Sequence, residues 1–255
     1  MTNVQRPDIV SAAYKILLDR KVGFTQLHED VMIIAAGNTP EQSSVANFLP
    51  TALINRCIVL TVSPPRVDAW ADFMDKMYPM QWDKRVYAFL KRFETESYLL
   101  QMPRETETLQ NFATPRTWTD LALLLAKGIE NDDVITGLLG YEIGQKFEAF
   151  LKVNLDIRDL IKEPAKFHSL SLDAKYMACV MLASWLTKNT KKWKMSFPLI
   201  DAMSKESKDF LVLTCMSMKK NKLTEYLKEL FRYNQEYMTI LDTVVLKLKR
   251  QLVAD

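Results

Sequence analysis

Apolar positions follow two kinds of pattern along this chain. Two short unbroken runs, residues 31–37 and 57–62, are rich in β-branched and aliphatic side chains. They predict strands buried on both faces. Ahead of the first run, residues 20–27 alternate around Gly23 and predict a short hairpin. Before that, Ile9, Ala12, Ala13, Ile16 and Leu17 recur at helical spacing, with Pro7 suited to a first turn.

Beyond Ser63-Pro64-Pro65 the period changes. Val67, Trp70, Phe73, Met74 and Met77 predict one amphipathic helix, and Val86, Phe89, Leu90 and Phe93 a second. Residues 100–112 are polar and aperiodic, the pattern of a loop. Thr114 is placed to cap a helix opening on Pro115, with Leu121, Leu124 and Leu125 facing inward. Leu138, Ile143, Phe147, Phe150, Leu151 and Val153 supply a further apolar face. Residues 176–186, 210–218 and a long final stretch, 223–252, predict three more helical segments. The proline pair is the best domain boundary, so the chain reads as residues 1–64, 65–130 and 131–255.

Composition narrows the classes. At 255 residues and 48% hydrophobic the chain can bury a large core, so it is not a disordered protein. A net charge of +3 gives no global field for nucleic acid or an anionic membrane. No apolar run approaches the roughly 20 residues that span a bilayer, so a soluble, cytoplasmic protein is expected. Cys57, Cys179 and Cys215 are far apart, which fits buried thiols in a reducing compartment better than disulfides. His28 and His168 stand alone, so no structural zinc site is expected. One local imbalance stands out: residues 186–255 hold 14 Lys/Arg against 8 Asp/Glu. A solvated face accounts for it most simply, and contact with an acidic partner or nucleic acid is the rival.

The candidate chemistry lies around the first apolar run. Ala35-Ala36-Gly37-Asn38 puts an amide just past the predicted strand's carboxyl end, the edge where open α/β sheets bind ligands. A polar loop, an amphipathic segment ending in Leu53-Ile54-Asn55-Arg56, and the second run follow. Together with Val4-Gln5-Arg6-Pro7-Asp8-Ile9, Leu17-Leu18-Asp19-Arg20, Leu49-Pro50 and Thr114-Pro115-Arg116, this order resembles the MoxR-like group of AAA+ ATPases. The likeness covers about residues 4–125, with a looser similarity in the helical tail.

The resemblance implies a fold that is mostly α. A partial α/β AAA+ core of two strands and a hairpin would precede an all-helical lid and a helical extension. It also implies that Asn38 is the sensor 1 amide, which holds the attacking water or the γ-phosphate. Arg56 would be an arginine finger reaching a neighbouring subunit's nucleotide, where a planar, permanently charged fork suits phosphate oxygens. Arg116 would be the lid's sensor 2 arginine. ATP and Mg²⁺ are the implied cofactors, a hexameric ring the implied assembly, and a remodelled protein the implied substrate. Read without the family, Asn38 caps a turn and Arg56 ends a helix where a cation is favoured. Arg116 falls in a first turn, where a cation is mildly disfavoured and a functional cause is needed more.

No G-x-x-x-x-G-K-[ST] occurs in the sequence, so the loop that would cradle the phosphates is missing. Nor does an apolar run ending in two acids precede residue 4. The chain is therefore expected to be the C-terminal part of a longer ATPase and not to hydrolyse ATP alone. In the family's sheet the phosphate-loop strand lies between the strands matching residues 31–37 and 57–62. Without it their edges are unpaired, and the first 65 residues are expected to be unstable, rearranged or paired with another chain. The alternative is a non-catalytic helical adaptor of AAA+ ancestry; a nucleic-acid binder using the basic tail comes third. Gly137, Gly140 and Gly144 lack the strand and spacing of a dinucleotide fingerprint and indicate close helix packing.

Overall fold

The computed structural model describes residues 14–37, 51–101, 111–218, 220–242, 244 and 246. These form two compact units, Met1–Ser63 and Pro64–Asp255. The fold is mostly helical, and among the described residues the only sheet is a two-stranded antiparallel one.

That sheet lies in the first unit. Strands β1 (Lys21–Val22) and β2 (Thr25–Gln26) pair in the register Lys21 to Gln26 and Val22 to Thr25. The turn needs Gly23, whose φ of +62° lies in the left-handed region. Arg20 closes the hairpin: its carbonyl accepts from Leu27 N, and its guanidinium donates to the carbonyls of His28, Glu29 and Val31. The predicted hairpin is therefore present. Of the predicted opening helix, residues 1–13 lie outside the described residues, and Lys15–Asp19 is a single wide turn with no buried residue.

The two predicted strands are not. Residues 31–37 and 57–62 belong to no strand, and their large apolar side chains are exposed apart from the half-buried Ile33, with Met32 at 82%, Ile34 at 83% and Ile58 at 91%. A strand exists only by pairing, and nothing among the described residues forms a ladder with either run. Between them the structure describes one short helix, α1 (Thr51–Ile54).

The second unit is built from helices. Asp83 caps α3 (Lys84–Arg92), which packs against α2 (Val67–Met77). Val67, Trp70 and Met74 of α2 are buried as their spacing predicts, while Phe73 and Met77 remain about half exposed. Next come α4 (Pro115–Ala126), α5 (Asp132–Leu139) and α6 (Tyr141–Leu151). The single apolar face predicted over residues 138–153 is thus split between two helices. Gly140 breaks it, with a φ of +81° that side chains rarely adopt. Of the predicted 100–112 loop, residues 102–110 lie outside the described residues.

The extension continues with α7 (Ile157–Lys162), α8 (Leu172–Lys188), α9 (Phe197–Glu206) and α10 (Lys208–Ser217). Tight turns at Pro164–Ser169 and Thr190–Ser196 join them. The long final helix predicted over residues 223–252 is interrupted, giving α11 (Lys220–Tyr233) and α12 (Glu236–Ile240); residues 242, 244 and 246 are again helical, and residues 247–252 lie outside the described residues. Asn234 makes the break, its side-chain oxygen accepting from Glu236 N as a fresh cap. One apolar core runs through the unit. Its densest part is aromatic: Phe89 packs on Phe93, Tyr98, Trp118, Phe147 and Phe150, with centroids 4.8 to 6.0 Å away. Among the described residues no helix is long and apolar enough to cross a membrane.

Candidate functional site

Three side chains carry the nucleotide reading. Asn38 lies outside the described residues. Arg56 sits in the turn after α1, where Asn55 N bonds back to the Thr51 carbonyl and Cys57 N to that of Ile54. It is exposed. Arg116 belongs to the second unit, and Arg56 to the first.

Arg116 has the better-defined setting. Thr114 is in extended conformation and its side-chain oxygen accepts from Thr117 N at 3.1 Å. In return Thr117 Oγ1 accepts from Thr114 N at 2.9 Å, so both orphan donors at the helix start are satisfied. Pro115 supplies a pre-set φ, and its carbonyl accepts from Trp70 Nε1, which ties the first turn of α4 to α2. One turn on, Trp118 is fully buried and donates to the Tyr98 carbonyl at 2.8 Å. Arg116 therefore leaves a rigid first turn and points to solvent. Among the described residues it makes no ion pair, although the positive end of the helix lies beneath it. Its five donors are available to an anion, and by itself it builds no phosphate cradle.

Other ionisable clusters have structural roles. Lys175 is 8% exposed and donates to Glu206 at 2.5 Å and to the His168 carbonyl at 3.1 Å. That ammonium, aided by His168, holds the Glu206 carboxyl below its ordinary value. The cluster ties α8 to α9 and to the turn at Pro164–Ser169. Asp201 likewise accepts from Tyr233 and Tyr237 and anchors the last helices. Among the described residues no group of three or more His, Cys, Asp or Glu could hold a metal ion.

One feature was not singled out by sequence reasoning. A groove of about 790 Å³ opens between α7, the end of α8 and the turn at Thr190–Ser196. Its residues come from three separate segments, so the pattern is three-dimensional. The excess of Lys over acids after residue 186 is its only linear trace.

Comparison of the chain with protein-family models, with curated proteins and with solved structures returned no match.

Proposed function

We propose that this chain is the C-terminal part of a MoxR-like AAA+ ATPase, in which it contributes sensor and arginine-finger groups to ATP-driven protein remodelling in a ring. The observation that carries the reading is the state of the two apolar runs. The second unit hides most of its large side chains, yet residues 31–37 and 57–62 hold nearly all of theirs in solvent without joining a sheet. Two strand-like sequences left in this way are what a sheet lacking its middle strand would leave behind. Residues Asn38 and Arg56 follow or precede these runs directly, so ordering the sheet would order them as well. Arg116, held on a capped and anchored first turn, adds the lid contribution. ATP and Mg²⁺ would be bound mainly by a phosphate loop supplied from outside these 255 residues.

The test supplies that missing part. The chain is co-expressed with an N-terminal MoxR-type half that carries the phosphate loop and the Walker B acids, and ATP turnover is measured. Turnover is expected from the mixture and not from the chain alone. Arg56→Ala should lower it by roughly a thousandfold, the scale of a lost arginine finger. Amide exchange at residues 31–37 and 57–62 should slow as their strands pair. A mixture in which Arg56→Ala and Arg116→Ala turn over like the parent would defeat the proposal and leave the adaptor reading.

A further inference from the structure

The groove beside α7 carries a second inference, independent of the nucleotide reading. We infer that it binds an acidic peptide segment of a partner protein, one that inserts an aliphatic or aromatic side chain.

Charge is the first reason. Arg158, Lys162, Lys188 and Lys192 line the groove against a single carboxylate, Asp156. That carboxylate is already engaged, accepting from Arg158 N at 2.8 Å as the cap of α7. The less exposed cations elsewhere in the second unit include matched ones: Lys84 with Asp75, Arg85 with Asp83 and Glu130, Arg92 with Asp173, Lys175 with Glu206. Among the described residues none of the four groove cations makes an ion pair. Four like charges around one concavity repel each other, and an acidic occupant relieves that repulsion.

Apolar surface supplies the second reason. Trp185 and Met181 are half-buried and Met195 is 54% exposed, so the lining offers apolar, deformable surface beside its charges. Methionine adapts to side chains of differing shape, which suits recognition of a peptide. Asn189 also lines the groove and donates its amide N–H to the Trp185 carbonyl, so its side-chain oxygen keeps capacity to accept from a peptide N–H.

Single-stranded nucleic acid fits less well. Such sites stack successive bases on several aromatic rings along a continuous basic track. Here the lining holds a single aromatic ring, Trp185, among aliphatic residues and methionines.

Three fluorescein-labelled probes of equal net charge test the proposal by anisotropy on the full chain. They are a short glutamate-rich peptide carrying spaced leucine and phenylalanine, a polyglutamate with the same number of glutamates, and an oligothymidylate. The amphipathic peptide is expected to bind at least about tenfold more tightly than either other probe, a difference of about 1.4 kcal/mol. Lys188→Glu with Lys192→Glu should weaken it by a further factor of about ten, and Met195→Glu, at an exposed position, should also weaken it. Lys127→Glu, on the surface after α4, should leave it unchanged, and circular dichroism melting verifies that each variant folds. Equal binding of polyglutamate, tighter binding of oligothymidylate, absence of peptide binding, or indifference to the groove substitutions each overturns the inference.

Discussion

At the scale of single residues, burial decides which groups can react. Cys179 and Cys215 sit fully buried on α8 and α10, and burial pushes both thiols up to about 12, because a thiolate there would lose its hydration. Cys179 Sγ also donates to the Lys175 carbonyl, the ordinary use of a buried helical thiol. Cys57, expected in a buried strand, is exposed instead. An aromatic disulfide reagent should therefore find one fast thiol per native chain, the exposed Cys57. Cys57→Ser should abolish that phase, and denaturant should release both buried thiols. Fast reaction of a second thiol in native protein would mean that α8 and α10 separate readily.

At the scale of elements, helices were legible where periodicity and punctuation agreed. Thr114-Pro115 gave the start of α4 from its side-chain chemistry alone, and the heptad-like run from Val67 gave α2. Residues 31–37 failed as a strand for a physical reason: β-branched content describes a segment's preference, whereas the strand itself depends on a neighbour that no local pattern contains. The groove beside α7 was hidden likewise, since residues 30 positions apart form it. The glycine cluster shows how packing assigns different work to one residue type. A Cβ on Gly144 would fall 2.8 Å from both Cα and Cγ2 of Thr136, where α5 and α6 touch backbone to backbone. A Cβ on Gly137 would meet nothing within 4 Å. Gly144→Ala should accordingly cost about 1–3 kcal/mol through forced separation of the two helices. Gly137→Ala should be neutral or stabilise α5 by up to about 1 kcal/mol. Urea midpoints of the two variants against the parent check this, and equal midpoints would remove the close approach as its cause.

On the scale of the whole molecule, cohesion is concentrated in one of the two units. From Val67 to Val244 the second unit buries an unbroken apolar core containing four tryptophans, whose indole N–H groups are each bonded. The described apolar residues of the first unit are exposed or half-buried, so burial supplies little of the free energy that would hold them in one conformation. Stability should therefore belong to the second unit alone. Limited proteolysis of the full chain is expected to cut first within residues 1–63 and to leave a resistant fragment beginning near Pro64. That fragment, expressed by itself, should unfold in urea with the midpoint of the full chain, because none of the described residues it loses on truncation is buried. A markedly lower midpoint would show that residues 1–63 contribute to the folded state of the helical unit. Repeating the digest in the presence of the phosphate-loop half connects stability to function: if the two apolar runs pair with its central strand, protection of residues 31–37 and 57–62 should rise while the helical fragment's own midpoint stays where it was.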